Sequence, residues 1–437
     1  MVSKSKSLIY LVWLVCALGL FVDGYDLYII SIAEPFITKS MNLSPILVGT
    51  MQSSALFGAV FGAILIGRLA DIVGRKKLLV FNFIFFVGIA ILSAFAWDAW
   101  SLIAFRFLLG FAVGADYPIC AAYLSEMTPD NKRAKYLASA MLMNCLAVPV
   151  GVLVAWFVFS VYPNENAWRW IIASGAIPAL IALLLRGRLP ESFLWSAHQK
   201  LKLKTQMVKS KVKGGYQQIF SPKFIKGTIG LCLCWFLMDM SYYGVVLFTP
   251  RIIEALDVTT TGNFLESMHT TIISTLYMSI FVVVGAALAV AFIDKIGHIR
   301  IQKIGFLAAF IGLFAMSLSS GGSHIQSMSI IFGGFIIFNL FINMGPGITT
   351  YLLPAEFYPT NIKATGHGLA AGIGKMGAFA GTLILPILQM HYGIYITVFV
   401  LSFTALLGFG CSYLISLSNK DTLEIAETDN KPLLRFA

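Results

Sequence analysis

Gly67-Arg68-Leu69-Ala70-Asp71-Ile72-Val73-Gly74-Arg75-Lys76 follows a long apolar run, and Ala291-Phe292-Ile293-Asp294-Lys295-Ile296-Gly297-His298 follows another far along the chain. Each places a glycine three residues after an aspartate. A second pair of loops repeats in the same way: Glu126, Pro129 and Arg133 recur with unchanged spacing as Glu356, Pro359 and Lys363. Two parallel copies of one unit explain both repeats. In a chain this apolar, such a duplication implies two like helical bundles with a site between them near the bilayer midplane.

Working outward from these loops, the apolar runs predict helices over about 8–37, 45–67, 78–97, 99–124, 135–160, 167–187, 225–250, 270–293, 301–320, 326–353, 364–389 and 393–417. Each is long enough to cross a bilayer. Of 437 residues, 58% are hydrophobic and 12% charged, with a mean hydropathy of +0.84, against about 25% charged in a soluble domain. A water-soluble globule is excluded. A closed β-barrel is excluded too, because the runs are continuous and not alternating. The fold class expected is therefore all-α and integral to a membrane. Its units are a six-helix bundle over 1–187, a basic linker over 188–224 with one surface helix, a second bundle over 225–417 and a tail over 418–437. The first run lacks a small-residue cleavage site before Asp23 and reads as a retained span.

The net charge of +11 does not point to nucleic acid, because the basic residues gather on alternate loops and near the termini. Clusters stand at Arg75, Lys76 and Lys77, at Lys132, Arg133 and Lys135, and along 200–226. The intervening loops, with Lys39, Asp98, Glu165, Arg169, Arg251, Glu254 and Asp257, are poor in basic charge. Cytoplasmic loops look like the former, so both termini are expected in the cytoplasm and the protein in the plasma membrane as a multi-pass chain. The six cysteines lie inside apolar runs and supply neither a disulfide framework nor a metal cluster.

The informative residues are the ionisable ones within the spans: Asp23, Asp26, Arg106, Asp116, Asp239 and Lys375. Unpaired at helix centres, six such groups would cost roughly 15–20 kcal/mol on insertion scales, so folding alone does not favour them. The plainer alternative, for Asp23 and Asp26, is an interfacial position where they snorkel or cap. Being three apart they share a helix face, and Arg106 could pair with either. The arginine stays cationic while its carboxylate partner can take a proton, the minimal element for coupling proton binding to helix motion. Trp235, Asp239 and Tyr243 form one stripe on the seventh helix. A Trp/Tyr stripe is commonly packing, but an aspartate within it demands a hydrogen-bonding partner. Asp71 and Arg75 sit where a helix end and a basic loop could form a breakable charge latch. The glycines at 366, 368, 372, 374, 377 and 381 suit close helix packing.

The loop from Gly67 to Lys77 resembles the G-x-L-x-D-x-x-G-R-[KR] signature of the major facilitator superfamily. Arg106, Gly110, Gly114 and Pro118 resemble that superfamily's fourth helix. Within it, Gly114-Ala115-Asp116-Tyr117-Pro118 with Ser125-Glu126 is similar to the G-G-D-Y-P signature of the phosphate:proton symporters. Trp235, Asp239 and Tyr243 resemble that family's phosphate-site stripe, Lys375 its site lysine, and Asp23-Gly24-Tyr25-Asp26 its first-helix D-x-Y-D, where a proton carrier is placed. The resemblance implies Asp116, Tyr117, Asn144, Trp235, Asp239, Tyr243 and Lys375 around a phosphate. It also implies Asp23, Asp26, Arg106 and Asp116 in proton coupling, with Asp71 and Arg75 in a gating loop. Three positions depart from the family: Asn144 replaces a site Gln, Gly347 an Asn, and Asn82 an acidic residue. A larger or different oxyanion could occupy the space vacated at Gly347.

Phosphate needs a cation for its oxygens and acceptors for its hydroxyls. Lys375 supplies the first, Asp116 and Asp239 the second, and Tyr117, Tyr243, Trp235 and Asn144 donors. Were both aspartates ionised the site would repel an anion, so a proton is expected to accompany it. The motifs of hydrolases and phosphate loops do not occur as such, since Leu369 and Met376 break the latter's spacing around Lys375. No enzyme, cofactor or metal is expected. The expected partners are a small anion, protons and the lipid bilayer, with the chain acting as a monomer. The alternatives are a proton symporter of another small solute, such as a sugar or an organic or aromatic acid, and a non-transporting substrate receptor.

Overall fold

The computed structural model describes residues 6–206, 215–246, 264–321 and 324–429. Arg251, Glu254 and Asp257, part of the lysine-rich linker and the end of the tail lie outside the described residues. Among the described residues, twelve helices are long and apolar enough to cross a membrane. In order they are Lys6–Met41, Pro45–Val73, Arg75–Ala94, Ala99–Met127, Asp130–Val161, Ala167–Arg186, Ile225–Val246, Thr271–Ile296, His298–Ser317, Ser329–Phe357, Lys363–Leu385 and Ile387–Ile415. They are called the first to twelfth spans below. Among the described residues there is no strand.

Local signals place the ends. Ser44 caps the second span, with Pro45 in its first turn, a position where a missing N–H costs nothing. Asp98 and Ser101 make a reciprocal capping box at the fourth span, and the Ser101 N–H holds the exposed Asp98 carboxyl below its ordinary range. The repeat is visible in the backbone itself: Gly74 and Gly297, each three residues after the repeated aspartate, have φ of 110° and 90°. Side-chain-bearing residues avoid that region, so each half needs glycine to turn between its second and third helices.

Several helices differ from the sequence expectation at their ends and breaks. The sixth span is two pieces, Ala167–Ala173 and Ala176–Arg186, and the tenth breaks at Gly345 between Met344 and Pro346. By contrast, the break expected between 389 and 393 is found at Gly393, with φ 77°, whereas those within the sixth and tenth spans were not expected. A glycine and a proline interrupt hydrogen bonding without interrupting hydropathy, so periodicity does not register these breaks. The linker's expected surface helix is Phe193–Gln206.

The spans pack with matching neighbours in the two halves. The first lies on the fifth as the seventh lies on the eleventh, and the second on the fourth as the eighth on the tenth. Between halves, the second meets the eleventh and the fifth meets the eighth. Small residues allow this. Gly110 and Gly114 stand so close to the carbonyls of Ala55 and Ala59 that a Cβ would come within 1.8 and 2.1 Å. Between halves, a Cβ at Gly368 would lie 2.3 Å from the Ala63 carbonyl oxygen, and one at Gly67 2.6 Å from that of Ala364. Large apolar side chains such as Leu65, Phe81, Leu184 and Leu407 face outward, the reverse of a soluble protein and the arrangement lipid selects.

Candidate functional site

The stripe on the seventh span and the lysine on the eleventh meet. Lys375 Nζ donates to Asp239 Oδ2 at 2.9 Å and to the Tyr243 hydroxyl at 3.1 Å. It also lies 4.5 Å from the centre of the Tyr243 ring and 4.9 Å from that of Tyr117. All four residues are buried. Across the gap, Asn144 on the fifth span donates to the Leu20 carbonyl at 2.8 Å and to the Tyr117 hydroxyl at 3.4 Å. Six of the seven expected substrate residues, Tyr117, Asn144, Trp235, Asp239, Tyr243 and Lys375, line one closed cavity of about 30 Å³ between the halves. That is room for roughly two waters, so the site is contracted.

The sequence reading missed much of the remaining wall: Tyr28, which stacks on Tyr243 at 6.2 Å, with Tyr242, Asn343, Thr350 and Tyr351. Beside it, His367 is buried against the Trp235 and Tyr351 rings. Nothing in the sequence marks these residues apart from polarity within apolar runs. Gly347, where the resemblance expected a different residue, also lines the cavity. Asn82 lies elsewhere, donating to the Ala112 carbonyl at 2.9 Å.

Asp116 is placed differently from expectation. It does not line the cavity, because successive helical residues point about 100° apart and Tyr117 takes the inward direction. Instead Asp116 faces the sixth span, where Arg186 meets its two oxygens at 2.6 and 2.7 Å. The sequence reading placed Arg186 inside the sixth helix, within 167–187, but gave it no partner and no role.

On the first span the two aspartates part company. Arg106 Nη1 lies 2.7 Å from Asp26 Oδ2 and 3.2 Å from the Asp26 carbonyl, which settles which of the two it pairs with. Asp23 is fully buried, and neither of its oxygens has a hydrogen-bond partner among the described residues.

At the end of the bundle carrying the basic loops, Arg75 is buried between Asp71 at 3.0 Å and Glu126 at 2.7 Å. It also donates to the carbonyls of Ala70 and Thr360. Asp71 reaches across to the other half, accepting from the Thr365 N–H at 2.8 Å, the Thr365 hydroxyl at 2.5 Å and the Ala364 N–H at 3.3 Å. It thereby caps the eleventh span, a stabilising place for a carboxylate. The segment after the sixth span covers this cluster. Glu191 accepts from the N–H groups of Arg75 and Lys76, the Ser192 hydroxyl donates to Glu126, and Trp195 Nε1 donates to the Asp71 carbonyl.

Twelve spans in two like halves, closed over a polar cavity at their interface, are the build of a membrane transporter of the major facilitator type. The family model described as sugar (and other) transporter matches residues 12–428, and the chain belongs to that family. Low affinity inorganic phosphate transporter 1 of Petunia hybrida is 28% identical over 87% of this chain and 83% of its own length. The D-xylose transporter of Levilactobacillus brevis is 31% identical over 86% of each chain. A solved structure of a proton:xylose symporter bound to 6-bromo-6-deoxy-D-glucose superposes with a TM-score of 0.77 at 20% identity, covering 92% of this chain and 95% of that one. That likeness is one of fold.

Proposed function

We propose that the chain is a proton-coupled symporter that carries inorganic phosphate inward by alternating access. In this reading residues 1–187 and 225–417 are the two rocking units, and residues 188–224 link them. The protein sits in the plasma membrane with both termini in the cytoplasm. The observation that carries the proposal is Lys375, a buried ammonium held by Asp239 and Tyr243 in a closed cavity at the interface of the halves. Lys375 and Asp239 cancel, so an anion can take the lysine only if Asp239 gives it up, and a carboxyl at that depth gives it up by taking a proton. Tyr117, Tyr243, Trp235 and Asn144 would then donate to the anion's oxygens. Asp23 and the Asp26–Arg106 pair carry the proton coupling, and Asp71 with Arg75 closes the basic end. Resemblance to plant phosphate transporters supports the substrate.

A second reading is favoured by the same ion pair. Because Lys375 is already neutralised, a neutral polyol could use Asp239 and the tyrosines as hydrogen-bonding groups, and the D-xylose transporter is a relative of comparable likeness.

Binding to the Lys375→Ala variant separates the two. A hydrogen bond to a charged group is worth about 1.5–3 kcal/mol, so the variant weakens phosphate binding roughly 10- to 150-fold. Proteoliposomes with an inward proton gradient should accumulate labelled phosphate, and a protonophore should abolish this. Wild-type phosphate binding by Lys375→Ala, or accumulation of xylose with indifference to phosphate, would remove phosphate from the proposal.

A further inference from the structure

Arg186 ends the sixth span and is completely buried. Besides its two bonds to Asp116 it donates to the Leu79 carbonyl at 3.1 Å, and its guanidinium lies 3.5 Å from the centre of the Phe83 ring. A two-pronged pairing of this kind holds its partner as the carboxylate. The first span comes up against the pair at Gly19, where a Cβ would stand 2.0 Å from Arg186 Nη2 and 2.7 Å from Asp116 Oδ2. Asp23 follows one helical turn later on the same face, and neither of its oxygens has a partner among the described residues. Two carboxyls therefore stand by one arginine, and both of its terminal nitrogens go to one of them.

The other groups within electrostatic reach of Asp23 leave it no cation. They are Asp26 on its own span, which is held by Arg106, and Lys375 on the eleventh, which is held by Asp239. Tyr117 on the fourth span and Tyr243 on the seventh face it as well.

We propose that Arg186 is a positioning residue for proton coupling: by gripping Asp116 it makes that group a standing carboxylate and leaves Asp23 as the carboxyl that binds and releases the transported proton. This rests on the symport reading above and on no particular substrate. The proton joins a carboxylate oxygen of Asp23 from water on one side and returns to water on the other. Arg186 is too basic to carry it.

Infrared spectroscopy of the full chain in liposomes tests this without substrate, through the carbonyl band of a protonated buried carboxyl. The wild type should show such a band titrating with pH, and Asp23→Asn should lose it. In Arg186→Gln the band should grow about twofold, because Asp116, deprived of its cation, also takes a proton. Adding Asp116→Asn to that variant should return the band to its original size, which loss of helix packing alone would not do. Arg186→Lys, which keeps charge without the fork, should fall between. A wild-type band in Arg186→Gln, or a wild-type band that survives Asp23→Asn and vanishes in Asp116→Asn, overturns the assignment. Should Arg186→Gln fail to accumulate, the comparison of Asp23→Asn with Asp116→Asn still decides it. The expected bands in a protein that ignores phosphate would sink the phosphate reading alone.

Discussion

Arg75 and His298 occupy equivalent places, each four residues after its repeated aspartate and each paired with the repeated glutamate, at 2.7 Å to Glu126 and 2.9 Å to Glu356. The first pair is sealed, with neither side chain exposed. The second is about a quarter exposed, at 27% and 26%. Around Arg75 the segment from Glu191 to Trp195 supplies carboxylate, hydroxyl and indole cover. Around His298 the same region opens into a cavity of about 600 Å³ lined by Gly297, Arg300, Lys303 and Glu356. The first loop also bonds to the opposite half through Asp71, whereas Asp294 is exposed, with no bond to that half among the described residues. Equal spacing in sequence thus yields a sealed charge cluster on one side and an open surface on the other, because a buried charge pair needs covering chain as well as its partners.

The largest effect should come from the sealed side. Arg75→Ala takes from the buried Asp71 and Glu126 the guanidinium they share, a loss of about 3–5 kcal/mol. If that loss falls on the closed state, alkylation of Cys145, which lines the central cavity, should quicken about 100-fold or more. Peptide-level mass spectrometry reads this, and an unchanged rate would show that Arg75 does not hold the basic end shut. The open side should respond less. His298→Ala removes a part-exposed pair worth about 0.2–1 kcal/mol, less than about a fivefold change in the same rate. A difference of sign lies in pH. The charge attraction between His298 and Glu356 exists only while the imidazole is protonated, so it is present at low pH and lost as pH rises and the ring gives up its proton. His298→Arg should therefore abolish whatever pH dependence the second loop contributes, and a pH response surviving that change would have to come from elsewhere. Smallest of all, Asp294→Asn should stay within about ±0.5 kcal/mol in thermal unfolding; a larger loss would mean that the two loops are more alike than their exposure indicates.

The repeat, the twelve spans and the cavity's main polar residues were legible because each rests on a pattern local in sequence. Trp235, Asp239 and Tyr243 announce one helix face, and Lys375 is conspicuous in an apolar run. What was not legible depends on rotation and on distant partners. Asp116 and Tyr117 are neighbours in sequence, yet one turns to the sixth span and the other to the cavity. Arg186 passes as one more basic residue at the end of a span until the fold brings it to Asp116, 70 positions away. The contact of Asp71 with Thr365 spans 294 residues, and nothing in either loop names the other. Whether Arg106 would choose Asp23 or Asp26 was undecidable from a shared face, since the choice turns on a difference in height of less than one helical turn.

The close approach of the second and eleventh spans has a mechanical consequence. Where Gly67 lies against Ala364, and Gly368 against Ala63, the halves touch through bare backbone. Interlocked side chains must leave their sockets before two surfaces can slide, and each departure raises a barrier. A face of glycine and carbonyl has no teeth to disengage. At these two contacts the joint is a plain bearing, with the Phe57 and Phe379 rings meeting further along it at 4.9 Å; if Asp71 and Arg75 form the gate proposed above, resistance to movement between the halves is concentrated in that charged bolt.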